Sequence, residues 1–393
     1  MVRDIQAFRK NDIHVLTGHR ATRIDRVRQS VSGITTDGHA FEYPYDRLLI
    51  ATGGSPRKPD LPGMDLPRVE VVRSLDDGRR IKRLLRNQTI EKAVILGMGY
   101  IALEMCESLT HLDIAVDMVK PGPVFLSWLK AELAQAVRAE IESRNVGLYA
   151  GHTIERIEKH NGGGLRVVCA DTVLTADLVI AGTGIAPNSR LAADAGLKLS
   201  LKQSIAVDRT LRTSDPNIYA AGDCADAYHI VTGEKTWIPL GLLANRAGRA
   251  VADNVCGGKA EVEGVAGTAV FRVFDFEVAR TGLNLAEAVQ AGFDPVEAMI
   301  TSRSRGHDQP GNATIWVNMV ADRKSGRLLG VQMVGKEGGA HRINGPAVAL
   351  HNRMTVAQYS QTDLAYAPPF GPTWDPTLTA AIQLLKKIEP EGR

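Results

Sequence analysis

The sequence predicts an α/β protein with two Rossmann-like three-layer domains and an α+β domain at its C-terminus. Three observations support this fold class. A short apolar run at residues 93–96 leads through a glycine turn into a helical pattern, an Asp–Thr–Gly–Pro pattern occurs twice, and short strands dominate from about Gly264. The length of 393 residues also exceeds what one simple core holds, so two or three domains are expected.

The composition excludes several classes of protein and predicts a globular enzyme of the cytoplasm. Apolar residues make up 44% and charged residues 23%, and the net charge of +3 comes without a long basic run, which argues against nucleic-acid binding. No apolar run approaches the ~18 residues of a membrane span, and the charged N-terminus lacks the apolar core of a secretory signal. The cysteines are scattered, so neither a disulfide framework nor a metal site is expected; they are Cys106, Cys169, Cys224 and Cys256.

The first 70 residues begin with the end of a helix and continue as short strands. Residues 13–31 alternate with period two and are followed by a turn at residues 36–39, which predicts small antiparallel strands. Residues 45–50 form a predicted buried strand that runs into Ala51, Thr52 and Gly53. The proline-rich residues 56–67 are then expected to be a linker.

The segment at residues 93–104 has the order strand, tight glycine turn, helix. Gly97 permits the turn, and Gly99 has no Cβ, so a pyrophosphate can approach the backbone there. Ala102 stands where a third glycine usually lets the helix and strand pack closely. The first amides of the helix favour phosphate binding, so the segment predicts a dinucleotide site. The alternative is a glycine turn of the same kind that binds no ligand.

Residues 46–56 and 177–187 share one layout. Asp, Thr, Gly and Pro stand at the same offsets in both copies, which are 131 residues apart. The second copy places Gly182, Thr183 and Gly184 at the positions of residues 51–53. This repetition predicts two related nucleotide-binding modules. The alternative is an accidental match between two strand-and-turn segments.

The repeat also predicts that the chain begins inside its first module. Gly97 lies 86 residues before Thr183, and the same distance before Thr52 falls ahead of residue 1. Residues 1–92 contain no other strand–glycine–helix sequence. We therefore expect the first module to lack its own glycine turn.

A second candidate ligand site lies further along the chain. Residues 218–221 read as a short buried strand that ends at Gly222 and Asp223. A carboxylate at such a strand end can accept hydrogen bonds from ligand hydroxyls; the alternative is an Asp that caps a turn. A helix over residues 242–255, opening near Leu240, has free first amides that can face an electron-rich ring.

The C-terminal third predicts a separate α+β domain. Strands are expected at residues 268–282, 313–322 and 326–335, the last two joined by a hairpin loop. Two helices are expected at about 340–354 and 376–387, with residues 363–370 between them.

Together these motifs resemble the pyridine nucleotide–disulfide oxidoreductase superfamily, in particular its branch of coenzyme A disulfide reductases, NADH oxidases and NADH peroxidases. The resemblance extends over essentially the whole chain and implies a homodimer that uses FAD and NAD(P)H. Hydride would pass from NAD(P)H through the flavin to a small-molecule acceptor, which is a disulfide, oxygen or a peroxide. The implied domains are an FAD-binding domain at 1–70 and 188–262, an NAD(P)-binding domain at 71–187, and a dimerisation domain at 263–393.

The resemblance also implies the site residues. Tyr100 covers the nicotinamide face of the flavin until NAD(P)H displaces it, and Tyr366 reaches toward the partner's disulfide site; these are the two catalytic candidates. The cofactor-binding candidates are Ala51, Thr52, Gly53, Gly97, Gly99, Tyr100, Ile101, Ala102, Glu104, Lys120, Gly182, Thr183, Gly184, Gly222, Asp223, Leu240 and Ala244.

The chain departs from the family pattern in two places. The family's first glycine unit and its redox cysteine would precede residue 1, so we expect FAD to bind sub-stoichiometrically and the four cysteines to have no redox role. Residues 306–311 stand where the coenzyme A branch often has paired tyrosines, which weakens coenzyme A disulfide as the acceptor. The alternative function is that of a truncated or degenerate NAD(P)-binding dimer without flavin catalysis.

Lys120 predicts NADPH rather than NADH. It ends the strand after the glycine turn, 23 residues beyond Gly97, where an acid would bind the ribose 2′-hydroxyl in an NAD site. A cation there suits a 2′-phosphate instead. Asp117 is the alternative candidate, although the strand pattern places it too early.

Overall fold

The computed structural model describes residues 4–388 of the chain, which form two compact units. The first unit comprises residues 4–54, 186–228 and 235–263, and the second comprises residues 55–185, 229–234 and 264–388. The division into three functional domains stays a prediction.

Strands and helices alternate between residues 69 and 150, whereas runs of consecutive strands occur before and after that stretch. The strands are β1 His19–Asp25, β2 Ser30–Thr35, β3 Ala40–Pro44, β4 Leu48–Ile50, β5 Gly54–Pro56, β6 Val69–Val71, β7 Lys92–Leu96, β8 Ala115–Lys120, β9 Gly147–Ala150, β10 Ile154–Lys159, β11 Leu165–Cys169, β12 Val173–Ala176, β13 Leu178–Ala181, β14 Ile185–Pro187, β15 Ile218–Ala220, β16 Ala227–Tyr228, β17 Lys235–Thr236, β18 Ala269–Val273, β19 Phe276–Gly282, β20 Pro295–Arg303, β21 Thr314–Asp322 and β22 Leu328–Gly335. The helices are α1 Ile5–Arg9, α2 Leu75–Asn87, α3 Tyr100–Thr110, α4 Ala131–Glu142, α5 Arg190–Asp194, α6 Gly241–Val255, α7 Leu285–Gln290, α8 Gly339–Arg342, α9 Asn344–His351, α10 Val356–Ser360 and α11 Pro376–Ile388.

The first unit contains three small sheets, of which the antiparallel pair β16–β17 is the shortest. β1, β2 and β3 form an antiparallel sheet with a bulge in β1, as the period-two pattern predicts. β4 pairs in parallel with β15, so the two strands that precede the Thr52 and Asp223 segments lie side by side. Their carboxyl ends therefore meet at one sheet edge, which is where ligands bind in α/β folds.

The second unit has a five-stranded parallel sheet in the order β6–β13–β7–β8–β9. β7 and β13 are central and almost wholly buried, because helices and a small antiparallel sheet cover the two faces. The predicted Rossmann-like module is thus present at residues 69–181. α3 follows β7 directly and packs against it.

The C-terminal part of the second unit is an antiparallel sheet in the order β18–β19–β22–β21–β20. α10 and α11 pack together, and α11 lies on β20 and β21. β22 is buried along its whole length. This is the predicted α+β domain. Within residues 4–388 no helix is both long and apolar enough to cross a membrane.

Several predicted elements differ in detail. Residues 45–50 contribute only the three-residue strand β4. The segment at 268–282 is a hairpin rather than one strand, because Phe274 adopts φ 51° and turns the chain between β18 and β19. The helix expected at 340–354 is broken into α8 and α9, since Pro346 has no amide to continue the first helix. β20, α7 and α10 were not predicted.

Candidate functional site

The glycine turn after β7 has the geometry of a pyrophosphate cradle. Gly97 has φ 108° and its amide donates to the Val119 carbonyl at 2.7 Å, which ties the turn to β8. A Cβ on Gly97 would lie 2.5 Å from the Gly182 carbonyl oxygen, so only glycine fits. A Cβ on Gly99 would meet nothing within 4 Å. The backbone beside Gly99 is therefore open, as a bound phosphate requires.

Helix α3 begins at this opening. Its N-cap, Gly99, supplies no side-chain hydrogen bond, and the first intrahelical bond runs from the Leu103 amide to the Gly99 carbonyl at 3.0 Å. The amides of Tyr100, Ile101 and Ala102 precede that bond and point out of the helix end. Three donors and the positive end of an eleven-residue helix suit an anion. The N-terminus of α3 therefore fits the diphosphate of a dinucleotide.

Ala102 has the close packing that its position in the motif predicts. It is fully buried, and a Cβ placed on Gly182 would lie 2.9 Å from the Ala102 Cβ. The turn after β7 and the turn after β13 therefore touch through two small residues. Glu104, two positions on, is exposed on α3; partial desolvation, and then the charge of Glu107, raise the pKa of its carboxyl.

Lys120 lies at the carboxyl end of β8, the edge where the glycine turn opens. Its ammonium donates to the Val124 carbonyl at 2.8 Å, so it closes the next loop and remains partly exposed. Asp117 is different: it is buried, and its carboxylate contacts the Lys92 ammonium at 2.8 Å. This geometry argues against Asp117 as the ribose ligand, and the assignment of Lys120 stays a prediction.

The two copies of the repeat are related by matching hydrogen bonds. The Thr52 hydroxyl donates to the Asn188 carbonyl at 2.5 Å, and the Thr183 hydroxyl donates to the Arg57 carbonyl at 2.6 Å. In return, the amides of Asn188 and Arg57 each donate, at 2.9 Å, to the carbonyl of the glycine after the threonine. Each threonine thus bonds the residue that stands five positions after its counterpart. The match between the copies is structural and not accidental.

Sequence reasoning missed Asn188 although a signal was available. Asn188 and Arg57 occupy the same offset in the two copies, directly after the shared proline. The Asn188 side chain also donates to the Thr52 carbonyl at 2.9 Å. Ala51 and Thr52 themselves are exposed, and a Cβ on Gly53 or on Gly184 would meet nothing within 4 Å. The backbone at both turns is therefore open to a ligand.

Asp223 and the start of α6 form the second candidate site, within the first unit. Gly222 has φ 82°, and a Cβ on it would lie 3.7 Å from that of Ala244 on α6. Asp223 is half-buried, and the Trp237 indole donates to its main-chain carbonyl at 2.9 Å. Leu240 is the N-cap of α6 and supplies no side-chain hydrogen bond. A carboxylate and an open helix end therefore belong to one site, which fits hydroxyl and ring oxygen groups of a flavin nucleotide.

Two of the four cysteines have thiols with raised pKa values, a third donates to main-chain carbonyls, and the fourth lies at the C-terminal end of α6. Burial raises the pKa of the Cys106 thiol to about 12, and burial, with nearby carboxylates, raises that of Cys169. Cys224 is fully buried and its thiol donates to the carbonyls of Ala221 and Ile50 at 3.3 and 3.5 Å. Cys256 is exposed at the end of α6.

Tyr366 lies in the segment between α10 and α11 with its side chain 58% exposed. This segment is fixed at two points: the Gly306 amide donates to the Pro368 carbonyl at 2.8 Å, and the Arg342 guanidinium donates to the Phe370 carbonyl at 3.0 Å. The loop at residues 306–312, where paired tyrosines were absent from the sequence, thus contacts the Tyr366 segment. An open depression of about 400 Å³ lies beside this loop.

Comparisons with known proteins agree with this architecture. Residues 3–248 match the family described as pyridine nucleotide-disulphide oxidoreductase, and residues 268–376 match its dimerisation domain. The chain is 34% identical over 369 residues to the NAD(P)H sulfur oxidoreductase (CoA-dependent) of Pyrococcus furiosus, covering 92% of this chain and 82% of the relative.

Two solved structures extend the likeness to three dimensions. An NAD-dependent persulfide reductase from A. fulgidus has a TM-score of 0.93 at 37% identity, covering 98% of this chain and 72% of that chain. An FAD-dependent pyridine nucleotide-disulphide oxidoreductase from Desulfovibrio vulgaris has a TM-score of 0.83 at 31% identity, covering 95% of this chain and 91% of that chain. These likenesses confirm the predicted fold class.

Proposed function

Because the chain belongs to the pyridine nucleotide-disulphide oxidoreductase family, we propose that this FAD-dependent NAD(P)H oxidoreductase reduces a small acceptor that contains a sulfur–sulfur bond. The main support is the open backbone at Gly99, which fits a dinucleotide diphosphate at the N-terminus of α3. FAD, when bound, accepts a hydride from NAD(P)H and returns two electrons to the acceptor. One NAD(P)H and one proton then convert each sulfur–sulfur bond into two thiol groups.

In this proposal the residues of the chain bind and orient. The amides of Tyr100, Ile101 and Ala102 hold the NAD(P)H diphosphate, and Lys120 leaves the Val124 carbonyl to pair with a 2′-phosphate. Asp223 accepts hydrogen bonds from ribitol hydroxyls of FAD. The first amides of α6, after Leu240, would hold an electron-rich part of the flavin ring.

The acceptor is proposed from the relatives and from the loop at residues 306–312. One relative bears the name of a CoA-dependent sulfur oxidoreductase and another that of a persulfide reductase. The loop presents His307, Asp308 and Gln309 where bulky aromatic side chains would suit coenzyme A disulfide. These two observations favour a polysulfide or persulfide over coenzyme A disulfide.

Anaerobic turnover tests the acceptor. With FAD-loaded protein and NADPH, we expect polysulfide to give the highest kcat/KM, coenzyme A disulfide a lower value, and oxygen or hydrogen peroxide the lowest. If oxygen or peroxide gave the highest kcat/KM, the protein would be an oxidase or a peroxidase rather than a reductase of sulfur–sulfur bonds. Protein that stays colourless with added FAD would instead support an NAD(P)-binding dimer without flavin catalysis.

We also propose that the protein is a homodimer formed through residues 263–393. The dimerisation-domain match covers most of this region. Three large aromatic side chains are exposed there within nine residues, Tyr366 at 58%, Phe370 at 80% and Trp374 at 60%. Exposed apolar groups so close together mark an interaction surface. The three functional domains and the cytoplasmic location predicted from the sequence remain part of this proposal.

A further inference from the structure

Tyr100 is held by an aromatic side chain from a distant part of the second unit. It is the first residue of α3, directly after the open Gly99, and its side chain is 43% exposed. Its ring centroid lies 6.2 Å from that of Phe271 in β18, with the rings inclined by 42°. Aromatic pairs with centroids 4.5–7 Å apart attract each other beyond the area they bury. Phe271 therefore stabilises one position of the Tyr100 ring.

Phe271 is itself fixed from behind by Trp128. The two ring centroids are 5.9 Å apart in an edge-on arrangement of 64°. The Arg280 guanidinium lies over the Trp128 ring at 5.5 Å and pairs with Glu287 at 2.8 Å. The three rings thus form a continuous contact from the glycine turn to the C-terminal sheet, through Tyr100, Phe271 and Trp128.

The main chain of Trp128 is anchored to that sheet as well. Its carbonyl accepts hydrogen bonds from the Gln332 side chain at 2.6 Å and the Asn284 side chain at 3.1 Å. Gln332 is only 2% exposed. Because Gln332 is buried and hydrogen-bonded, it holds the main chain of Trp128, and with it the contacting rings, in a fixed position.

From this geometry we propose that Phe271 is a positioning residue that holds Tyr100 in its resting place beside the NAD(P)H cradle. The inference rests on the proposed function and on the expectation, implied by the family resemblance, that NAD(P)H displaces the Tyr100 ring. Phe271 touches no cofactor in this account; it acts through Tyr100. The C-terminal sheet thereby sets how readily the dinucleotide gains access.

The direction of the effect follows from the two positions of Tyr100. Only the displaced position admits the nicotinamide, so the apparent affinity is reduced by the fraction of molecules in the resting position. Removing the Phe271 ring lowers the stability of the resting position. We expect Phe271→Ala to tighten NADP⁺ binding by about 2- to 10-fold, which is the factor an aromatic pair contributes.

The test measures NADP⁺ binding by calorimetry on FAD-loaded protein, because the oxidised nucleotide binds without hydride transfer. Phe271→Ala should lower the dissociation constant, Phe271→Tyr should restore it, and KM for NADPH should fall with kcat unchanged. In a Tyr100→Ala background the effect of Phe271→Ala should vanish, since the two side chains act as one pair. Phe271→Leu provides a second variant that retains core volume if the alanine variant folds poorly.

Phe276→Ala is the matched control. Phe276 is the same residue type on the neighbouring strand β19, and it pairs with Trp316 at 6.0 Å rather than with Tyr100. It should lower the melting temperature without changing the NADP⁺ dissociation constant. Equal effects of Phe271→Ala with and without Tyr100, or weaker NADP⁺ binding in both Phe271→Ala and Phe271→Leu, would overturn the inference. Parent protein that binds NADP⁺ but shows no flavin reduction would count against the proposed function instead.

Discussion

Individual side chains carry the predictions about nucleotide preference and redox chemistry. Lys120 lies at the carboxyl end of β8, whereas the nearest acid of that strand, Asp117, is buried against Lys92. The buried thiols have raised pKa values or donate to main-chain carbonyls. The position of Lys120 and the environment of the thiols each lead to a substitution with a predicted effect.

Lys120→Glu should shift the preference from NADPH toward NADH. A charge-assisted hydrogen bond to a 2′-phosphate contributes about 1.5–3 kcal/mol, so the ratio of kcat/KM for NADPH over NADH should fall by roughly 10-fold or more. Steady-state kinetics with both nucleotides measures this. Lys82→Glu, the same charge change on the exposed face of α2, should leave the ratio unaltered. A retained or greater NADPH preference in Lys120→Glu would rule out this role of Lys120.

Replacing all four cysteines should leave electron transfer to a dye within a few-fold of the parent. A thiol that exchanges electrons with a flavin must be a reactive thiolate, and burial keeps Cys106 and Cys169 protonated. The variant with alanine at positions 106, 169 and 224 and serine at 256, supplied with FAD, is assayed with NADPH and a dye. A single substitution that stops dye reduction while FAD stays bound would show that a redox cysteine has been overlooked.

His229 should make the protein less stable in acid. Burial is the main cause that lowers its pKa to about 4 from 6.5; Arg280 and Arg327 act in the same direction, while Glu287 opposes them. Between pH 6.5 and about 4 the unfolded chain binds a proton that the folded chain does not, so stability falls as the pH drops through that window. The loss is up to about 3 kcal/mol.

Denaturant unfolding at several pH values tests this dependence. His229→Asn retains an acceptor for the Val231 amide but does not titrate, so its stability should fall less in that window than that of the parent. His160→Asn, at an exposed position, should follow the parent curve. Parallel curves for the parent and His229→Asn would remove His229 as the cause.

At the scale of elements, the glycine turn after β7 is the part that the sequence predicts best. The order of strand, turn and helix can be read from one short stretch of sequence. The structure shows that its two glycines, Gly97 and Gly99, are needed for different reasons. Gly97 is required by the backbone, because its φ is 108° and a Cβ would meet the Gly182 carbonyl oxygen at 2.5 Å. Gly99 has ordinary φ of −80° and open space beside it.

Substituting these two glycines by alanine should therefore affect different properties, NADP⁺ binding in one case and stability in the other. Gly99→Ala should leave the unfolding free energy almost unchanged while weakening NADP⁺ binding, since the methyl group occupies space needed by the diphosphate. Gly97→Ala should lower the unfolding free energy by more than about 1 kcal/mol, because its backbone is left-handed and crowded. Calorimetric binding and denaturant unfolding distinguish the two effects. Gly99→Ala with full affinity for NADP⁺ would mean that the dinucleotide lies elsewhere.

Other elements could not be predicted because they depend on distant contacts. Phe271 and Tyr100 are 171 residues apart, and no periodicity in either segment indicates that their rings meet. The break between α8 and α9 was predictable from Pro346, whereas the turn at Phe274 requires a left-handed conformation that phenylalanine rarely adopts. Asn188 could also have been predicted from the sequence, since it stands at the same offset in its copy of the repeat as Arg57 does in the other.

For the whole molecule, the exposed aromatic side chains near the C-terminus predict the oligomeric state. Light scattering should give twice the monomer mass of 42.4 kDa. Phe370→Ser removes the most exposed of these side chains and should shift the protein toward the monomer, with little change in monomer fold. Val27→Ser, at a residue that is 95% exposed in the first unit, is the control and should remain dimeric. A parent protein of monomer mass would disprove the dimer.

An anaerobic titration shows whether NAD(P)H reduces a flavin held by this chain. FAD-loaded protein is mixed with increasing NADPH while the flavin absorbance is followed, with Gly99→Ala as the variant impaired in dinucleotide binding. We expect one equivalent of NADPH to bleach the bound flavin, polysulfide then to restore the colour, and the variant to need more NADPH. Flavin that remains oxidised in the parent at excess NADPH and excess NADH would disprove NAD(P)H-dependent flavin reduction by this chain.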